Sequence, residues 1–412
     1  MRLVYTIGIY LTGIVLKILS IFNAKLRLGV NGRKETFKIL ESTIDSEDKT
    51  FWFHCASLGE YEQGLPVFEK LVEKFPDYKV VLSFFSPSGY EVRKNSKIAD
   101  TVVYLPLDTK ANAKRFLNIV NPDYTIFVKY EIWPNFLYEL KKRNHKAILI
   151  SAIFRKSQSF FKWYGGLMTS SLLAFNHIFT QNEKSKKLLQ TIGYHSVSVT
   201  GDTRFDRVFN QLNMDNSIDF IQEFKGDKLC VVFGSTWPDD DKLYMNYINS
   251  LKFKNLKIVI APHNVKPSYI QSLRSQIKAK TICFSEWSEE KKLSEFDIFI
   301  LDTIGYLSKV YSYADIVYVG GAAGTTGLHN ILEPAVFGIP IIIGKNYSKF
   351  PEAKALIELG GVHAVSSPSE FESVFDVLAS DNLKRQKQGA INIDYVKKSK
   401  GAVIQILDYI RI

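Results

Sequence analysis

The stretch IVYVGGAAGTTGLHNILEPAVFGIP, residues 316–340, decides the fold. Its first four residues are apolar, as in a buried strand of a parallel sheet. A glycine-rich loop follows, and the residues from His329 to Val336 have the composition of a helix that halts at Gly338. The stretch therefore predicts a strand, a glycine-rich loop and a helix.

The chemistry of this loop indicates an anionic ligand. Glycines let the backbone approach a ligand closely, and a helix N-terminus aims free N–H groups and a positive dipole at an anion such as phosphate. Gly320 and Gly321 would supply such N–H groups. Glu333 would lie about one turn into the helix, where its carboxylate can accept hydrogen bonds from both hydroxyls of a ribose. The alternative is a structural turn followed by a helix that faces the core.

The loop, His329-Asn330, the Glu333-Pro334-Ala335 triplet and the following Gly-x-Pro resemble the donor-nucleotide site of GT-B glycosyltransferases. The resemblance is closest to the 3-deoxy-D-manno-octulosonic acid (Kdo) transferases of lipopolysaccharide synthesis. Other segments between Phe51 and about Glu352 match the same family in the same order. The resemblance implies an α/β protein with two Rossmann-like domains, each a doubly wound parallel sheet, that face each other across a cleft. The donor-binding residues that it implies are Ser235, Thr236, Gly320, Gly321, His329, Asn330 and Glu333.

Length and composition agree with two domains and limit the partners. The chain has 412 residues, of which 46% are hydrophobic and 23% are charged, enough for two cores. A formal net charge of +11 suits a densely negative partner, such as nucleic acid, an anionic bilayer or a phosphorylated lipid. The lysines are spread along the chain and no nucleic-acid-binding motif is present, so nucleic acid is not expected. Three cysteines without CxxC spacing predict neither a disulfide framework nor a zinc site.

The first 25 residues are expected to form a membrane anchor. From Leu3 to Phe22 only Lys17 is charged, so this segment is just long enough to span a bilayer and could equally lie in its interface. The basic residues that follow predict that the next domain stays cytoplasmic. The resemblance implies that the membrane is the inner membrane of a bacterium. A signal peptide and a helix packed in the core are the alternatives.

A candidate catalytic base follows the first predicted strand. The segment Ser57-Leu58-Gly59-Glu60 resembles the family's Ser-x-Gly-Glu motif, whose glutamate is the catalytic base, and Glu60 falls on that position. Independently of the family, a carboxylate just past a strand and a glycine lies at the mouth of an α/β sheet, where ligands bind. Glu62 is the rival, and Glu60 could also be only a first-turn charge.

Three further residues are expected to contact the acceptor or to position charge. Glu131 lies in a segment, residues 129–135, that resembles the family's Glu-x-Trp-Pro-Asn signature, although Trp133-Pro134 could equally be a packed corner. Ser88 belongs to a polar loop that resembles the family's Ser/Thr-rich loop. Arg204 takes the place of a family lysine in the segment that closes the first domain, and its guanidinium can bind a carboxylate or phosphate in bidentate fashion.

A second phosphate-cradling loop is predicted at Gly234-Ser235-Thr236, between a strand and a helix. The acidic run from Asp239 to Asp241 could suggest a metal site, but acidic residues are favoured in the first turn of any helix. No metal and no cofactor are therefore expected. The segment 299–307 matches another family motif, and His263 stands where the family usually has arginine.

The predicted domain boundaries follow from these segments. Residues 26–210 would form the acceptor-binding domain and residues 225–384 the donor-binding domain, with a polar linker between them. Residues 385–412 have the pattern of an amphipathic helix, and in GT-B proteins the terminal helix usually crosses back to the first domain. The segment from Phe154 to Gly166 mixes cationic and aromatic residues, which suits a lipid headgroup interface or a phosphorylated lipid acceptor.

The resemblance implies an inverting transfer of Kdo from CMP-Kdo to a hydroxyl of a lipid A precursor, with Glu60 as the base. The implied partners are CMP-Kdo, the lipid A precursor and an anionic membrane surface. Another GT-B sugar-nucleotide transferase or a UDP-sugar epimerase is the nearest enzyme alternative, since the loop chemistry does not separate cytidine from uridine. A membrane-tethered module that binds a nucleotide or a lipid without turnover is the alternative of another class.

Overall fold

The computed structural model describes residues 2–250 and 255–410. The chain divides into two compact units, one comprising residues 1–207 and 400–412 and the other residues 208–399. The helices of the first unit are α1 (Arg2–Phe22), α2 (Ala24–Thr43), α3 (Leu58–Lys74), α4 (Pro87–Arg93), α5 (Lys110–Val120), α6 (Pro134–Lys142), α7 (Gly166–Leu172), α8 (Glu183–Gln190) and α9 (Thr203–Asn210), which ends across the boundary. Its strands are β1 (Thr50–Cys55), β2 (Lys79–Phe84), β3 (Thr101–Tyr104), β4 (Tyr124–Val128), β5 (Lys146–Ala152), β6 (His177–Thr180) and β7 (Val197–Val199).

The first unit is built on a parallel sheet of seven strands in the order β3-β2-β1-β4-β5-β6-β7. Helices cover both faces, so strand residues are buried on either side, and alternate residues enter different cores. Trp52 packs against Phe116 and Phe136 on one face, whereas its neighbours Phe51 and Phe53 belong to the core on the other face. The strand order reverses direction between β1 and β4, which is where an open sheet of this kind binds its ligand.

The helix α1 packs against the rest of the first unit with one of its sides. Gly13 lies close to Leu107, Tyr5 donates a hydrogen bond to Asp108 (2.8 Å), and Arg2 donates one to Asn135 (3.1 Å). Its other side exposes large apolar side chains, namely Leu3, Val4, Ile7, Tyr10, Leu11, Ile14, Val15, Ile18, Leu19, Ile21 and Phe22. In the part of the chain that the structure describes, α1 is the one helix long and apolar enough to cross a membrane.

The segment after Lys384 forms two helices, not the single element that the sequence pattern suggested. The helix α17 (Asn382–Ser399) belongs to the second unit, and α18 (Ala402–Tyr409) belongs to the first. Gly401 separates them with a φ of 114°, and the carboxylate of Asp206 accepts hydrogen bonds from the N–H groups of Gly401 and Ala402. Apolar residues of α18, among them Ile406, pack into the core around Phe51. Arg411 and Ile412, the last residues of the predicted helix, lie outside the described residues.

The second unit repeats the architecture. Its strands are β8 (Leu229–Thr236), β9 (Leu256–Pro262), β10 (Thr281–Cys283), β11 (Ile298–Ile300), β12 (Ile316–Val319), β13 (Ile341–Gly344) and β14 (Val362–Val365). Its remaining helices are α10 (Asp219–Lys225), α11 (Pro238–Ser250), α12 (Pro267–Ser275), α13 (Leu307–Val310), α14 (Leu332–Ala335), α15 (Pro351–Leu359) and α16 (Pro368–Ser380). All seven strands run parallel in the order β10-β11-β9-β8-β12-β13-β14, and the order reverses between β8 and β12.

The helix expected from His329 to Val336 is reduced to the single turn α14. The N–H of His329 donates to the carbonyl of Gly320 (3.1 Å), which holds the chain against the loop instead of in a helix. The side chain of Asn330 then accepts a hydrogen bond from the N–H of Leu332 (3.2 Å), so the helix begins only there. A single turn has little macrodipole, so the expected attraction of a long helix for phosphate does not apply at this position.

Candidate active site

The reversal point of the first sheet brings Glu60 and Glu131 to neighbouring strand ends. Glu60 lies in the first turn of α3, directly after β1, and Glu131 lies in the loop after β4, the strand that pairs with β1. Both side chains are nearly buried, with 9% of each residue exposed. Two carboxylates thus lie at the edge where ligands of such sheets bind.

The surroundings of Glu60 and Glu62 separate the two candidate bases. Glu62 forms ion pairs with both Arg93 and Arg207, which fix it as a structural anion. Glu60 instead contacts the hydroxyl of Ser57, the N-cap residue of α3, and no lysine or arginine pairs with it among residues 2–250 and 255–410. Glu62 is held by two cations and Glu60 by none in the described ranges, so Glu60 is the better candidate for the base.

Glu131 rests on a buried polar network that the sequence analysis missed. His54, in β1, is completely buried, and its Nε2 lies 3.3 Å from Oε2 of Glu131. The indole N–H of Trp133 lies 3.0 Å from both of these atoms. On the inner side, Nδ1 of His54 lies 2.9 Å from the hydroxyl of Ser83. A histidine inside an otherwise apolar strand was the only sequence signal for this network.

The pKa values of two neighbouring residues reflect burial and the negative charge of this region. Burial raises the pKa of the Cys55 thiol well above its usual range, and Glu60, Glu131 and Glu62 raise it further. The pKa of Tyr130 is also raised, first by burial and then by Glu60. Both shifts show that the carboxylates act on the same small volume at the ends of β1 and β4.

Ser88, expected in a loop, lies in the first turn of α4, and the residues before this helix lie next to the segment that leads into the Glu60 turn. The N–H of Ser86 donates to the carbonyl of Ala56 (2.7 Å), and the hydroxyls of Ser86 and Ser88 are 3.0 Å apart. Arg33, from α2, supports the residues before α4, since it donates hydrogen bonds to the carbonyls of Phe85 and Leu105. Burial lowers the pKa of Arg33 to about 10.

Arg204 follows β7, at the edge of the sheet, and is connected to the site by side-chain hydrogen bonds. Its Nε donates to the carboxylate of Asp202 (2.8 Å), and this carboxylate also accepts a hydrogen bond from the amide of Gln63 (3.3 Å) in α3. Arg204 is therefore tied to the helix that begins with the Glu60 turn. The structure places Glu131 and Ser88 on segments that neighbour the Glu60 turn, and it connects Arg204 to the helix of Glu60 through Asp202 and Gln63.

In the second unit, the loops after β8 and β12 meet at the corresponding reversal point. A Cβ atom at Gly320 would come 2.4 Å from the carbonyl oxygen of Ser235, so only glycine allows this approach. Gly321 has a φ of 94°, and a Cβ there would come 2.0 Å from the carbonyl oxygen of Gly327. Thr236 is completely buried, so its side chain belongs to the packing of the loops.

Asp240 holds the two loops together. This completely buried carboxylate accepts hydrogen bonds from the N–H groups of Trp237 (2.9 Å), Gly321 (2.8 Å) and Ala323 (3.3 Å) and from the hydroxyl of Tyr318 (2.7 Å). The N–H of Gly320 donates to the carbonyl of Gly234 (2.9 Å). The N–H groups of Gly320 and Gly321, which the sequence analysis assigned to phosphate, therefore donate within the fold.

Other groups of the glycine-rich loop remain open to a ligand. Among the described residues, no acceptor contacts the N–H groups of Gly324, Thr325 or Thr326. Close by in sequence, the side-chain amide of Asn330 donates to Oε1 of Glu333 (3.1 Å), which orients that carboxylate. The second loop thus offers backbone donors for an anion and an oriented carboxylate for hydroxyl groups.

Three aromatic rings stack beside this loop. Trp237 stacks on His263 with 4.5 Å between ring centroids, and His263 lies 4.5 Å from His329. The indole N–H of Trp237 donates to Nε2 of His329 (3.1 Å). Burial, and next the neighbouring His263, lower the pKa of His329 to about 4, and burial lowers the pKa of His263 as well. Both imidazoles are therefore neutral at pH 7.

The acidic run at the start of α11 serves the fold. Asp239 pairs with Lys242, Asp240 holds the loops, and Asp241 accepts hydrogen bonds from the hydroxyls of Tyr244 and Tyr269. In the described ranges, no group of three or more His, Cys, Asp or Glu residues is placed to hold a metal ion.

Comparison with known proteins agrees with this geometry. Residues 31–207 match the sequence model of the family 3-deoxy-D-manno-octulosonic-acid transferase (kdotransferase). The 3-deoxy-D-manno-octulosonic acid transferase of Haemophilus influenzae is 28% identical over 376 residues, which cover 87% of this chain and 86% of that protein. Residues 31–207 thus match the Kdo transferase family, and the chain is similar to its members over most of its length. It is a glycosyltransferase, as the resemblance implied.

Solved structures confirm the GT-B fold. The UDP-GlcNAc 2-epimerase of Neisseria meningitidis superposes with a TM-score of 0.62 at 16% identity, covering 87% of this chain and 98% of that one. The MurG protein of Acinetobacter baumannii superposes with a TM-score of 0.54 at 11% identity, with coverage of 87% and 98%. At these identities the likeness concerns the fold alone, so the α/β class with two Rossmann-like parallel sheets is confirmed.

Proposed function

We propose that the protein transfers Kdo from CMP-Kdo to a hydroxyl of a lipid A precursor, with inversion at the anomeric carbon. The observation that carries the proposal is the Glu60 carboxylate, which no lysine or arginine of the described ranges pairs with, at the reversal point of a sheet whose sequence matches the Kdo transferase family. The relative from Haemophilus influenzae is named as a 3-deoxy-D-manno-octulosonic acid transferase, and this name supports the choice of Kdo as the transferred sugar.

The reaction assigns one task to Glu60. As the acceptor oxygen attacks the anomeric carbon of Kdo, Glu60 takes the proton of that hydroxyl, and the bond between the anomeric carbon and the phosphate oxygen breaks. The electron pair of this bond leaves with the phosphate, so CMP is released. Glu131, Ser88 and Arg204 are assigned to the acceptor or to the placement of charge, because they lie beside Glu60 or are linked to its helix.

The second unit is proposed to hold the nucleotide. The backbone N–H groups of residues 324–326 face no acceptor in the described ranges and can donate to phosphate, while Glu333 can accept from the ribose hydroxyls. Ser235, Gly320 and Gly321 would act through the shape of their backbone. Their close packing leaves room for a ligand at the loop. His329 and Asn330 line the same loop. These groups supply hydrogen bonds without a divalent metal, and the proposal includes none.

A membrane surface is proposed as the place of action. The exposed side of α1 supplies an apolar contact, and the residues near its start touch α6. Lys141 of α6 donates a hydrogen bond to the carbonyl of Leu173, at the end of α7 (3.2 Å), and this places the aromatic turn before α7 on the same part of the unit. In that turn Trp163 is 95% exposed and stands beside the exposed Lys162. Aromatic and cationic side chains of this kind suit an anionic headgroup region at the cytoplasmic face of the inner membrane.

Incubation of the full-length protein with CMP-Kdo and a lipid A precursor tests the reaction. Mass spectrometry should find acceptor that is heavier by at least one Kdo unit, together with CMP. An unchanged acceptor, with epimerised sugar in a parallel incubation with UDP-GlcNAc, would replace the proposal by the epimerase alternative.

Removal of residues 1–25 tests the membrane contact. The full-length protein should float with anionic vesicles in low salt and at about 0.5 M salt, where the screening length is only ~4–5 Å. The shortened protein should bind the same vesicles in low salt only, because charge attraction alone remains. If the full-length protein also leaves the vesicles in high salt, α1 is not inserted in the bilayer.

A further inference from the structure

We infer that His54 is a positioning residue for the transfer reaction and that it acts through Glu131. The inference rests on the proposed function, because Glu131 has a task only if this edge of the sheet is the reaction site. His54 has no exposed surface and cannot touch a substrate. Its ring nevertheless lies 3.3 Å from the carboxylate that closes the loop after β4.

The inner side of the network fixes one ring nitrogen of His54. The indole N–H of Trp52, which can only donate, lies 2.7 Å from the hydroxyl oxygen of Ser83. Ser83 accepts this hydrogen bond and keeps its own proton to donate. The nearer acceptor for that proton is Nδ1 of His54 at 2.9 Å, since the carbonyl of Phe53 is 3.4 Å away. With Nδ1 as an acceptor, the neutral ring carries its proton on Nε2.

The outer side of the network then directs that proton at Glu131. Nε2 of His54 lies 3.3 Å from Oε2 of Glu131. The indole N–H of Trp133 is 3.0 Å from both Nε2 and Oε2, and it donates to Oε2 because a protonated Nε2 cannot accept. No described residue forms a hydrogen bond with Oε1 of this carboxylate. Glu131 is thus held from within the fold by one oxygen, and the other is left for a ligand.

A carboxylate in a fixed position contributes more to catalysis than a mobile one. The transition state of glycosyl transfer has the character of an oxocarbenium ion, and groups fixed near the developing charge stabilise it without having to reorganise. A displacement of about 1 Å can lower the rate by as much as ~10²-fold. The ring of His54 also packs against Phe127 and Trp133, so its removal must be tested for structural effects as well.

Two substitutions separate positioning from packing. His54→Phe keeps a ring of similar size and removes Nε2, so the turnover of the folded enzyme should fall at least about 10-fold, with CMP affinity by calorimetry unchanged. His54→Gln, which can place an amide N–H near the same point, should recover most of this loss. Thr125→Val is the matched control, because Thr125 is also completely buried, in the neighbouring β4, and is not among the described hydrogen-bond partners of Glu131. The control should keep wild-type turnover.

A double-mutant cycle decides whether His54 acts through Glu131. In a Glu131→Gln background, His54→Phe should lower turnover by less than 2-fold further, because the carboxylate that it positions is gone. Losses that multiply in the double variant, or a His54→Phe enzyme with wild-type turnover, would overturn the inference.

A measurement without turnover keeps the inference separate from the proposed function. In the ¹⁵N-histidine NMR spectrum of the full chain, Glu131→Gln should shift the Nε2 resonance of His54 and leave that of His177, which lies in β6, in place. An unmoved His54 resonance would overturn the inference even in an active enzyme. If the wild-type protein transfers no Kdo while Glu131→Gln still shifts the His54 resonance, the proposed function is refuted and the His54–Glu131 contact stands.

Discussion

The two reversal points share a topology but differ in the groups that they use. In the first sheet, the loops after β1 and β4 present side chains, the carboxylates of Glu60 and Glu131, above a buried polar network. In the second sheet, the loops after β8 and β12 present mainly backbone, and one carboxylate, Asp240, is consumed in holding them. The fold alone therefore does not decide the chemistry, which depends on the residues that follow each strand.

The difference extends to local charge. In the first site, burial and next the nearby carboxylates raise the pKa values of Cys55 and Tyr130. In the second site the pKa of His329 is lowered to about 4, so the imidazoles next to the loop stay neutral. The proposed function accordingly assigns proton transfer to the first site and the binding of an anion to the second.

The largest effect is expected from Asp240→Ala. This change leaves four donors without their acceptor in a buried position, so the second unit should lose at least about 3 kcal/mol of stability. Urea unfolding followed by tryptophan fluorescence measures the loss. Asp239→Ala is the matched control one residue earlier: its exposed carboxylate pairs with Lys242, and the expected change is within about 0.5 kcal/mol. Equal losses for both variants would show that Asp240 does not hold the loops.

Glu60→Gln should lower turnover by at least ~10²-fold, the lower end of what general base catalysis supplies, while the affinity for CMP is retained. Rapid-quench measurement of Kdo transfer at saturating donor gives the rate. The control is Glu62→Gln, which breaks the ion pairs with Arg93 and Arg207 and should lower thermal stability more than the turnover of the folded protein. Near-normal turnover of Glu60→Gln would remove Glu60 from the mechanism.

Glu333→Ala should weaken CMP binding by roughly 1.5–3 kcal/mol, the range for hydrogen bonds to a charged group. Calorimetry with CMP and with cytosine, which lacks the ribose, measures the effect and its origin. Glu358→Ala, an exposed carboxylate in α15, serves as the control and should change nothing. If CMP binds the Glu333 variant with unchanged affinity, the ribose assignment fails.

The last expected effect concerns pH. His329 has a pKa of about 4 in the fold, against about 6.5 when unfolded, so between these values the unfolded chain binds more protons. Stability should therefore fall as the pH drops from 6.5 toward 4, by less than the ~1.4 kcal/mol per pH unit of one full proton. His329→Gln should flatten the wild-type decline when the two proteins are compared by thermal unfolding across this range. Parallel declines would show that His329 does not resist protonation.

The sequence was sufficient to predict the secondary-structure elements that flank the two candidate sites and the positions of those sites along the chain. The apolar run before Gly320 is β12, and the stretch with Glu60 follows β1, because short apolar runs bounded by glycine and helix signals are strong local patterns. The reversal points themselves could be expected only through the resemblance, since strand order depends on contacts between distant segments.

What the sequence did not provide were contacts that override local patterns. The helix expected at His329 is shortened by a backbone bond to Gly320, and the amides of Gly320 and Gly321 are used by the fold. Asp240 was interpreted as a first-turn charge, although its partners lie about 80 residues away in sequence. His54 was missed because nothing in an apolar strand indicates which polar side chain will meet a carboxylate from another loop.

Hydrogen exchange with and without CMP tests the division of tasks most directly. Full-length protein is labelled in both states and digested, and peptides of the two reversal points are compared. The account predicts that CMP slows exchange in residues 320–331 and 233–237 and leaves residues 56–62 and 129–135 unchanged. Protection of residues 56–62 and 129–135, with none in residues 320–331, would contradict the claim that the second unit holds the nucleotide.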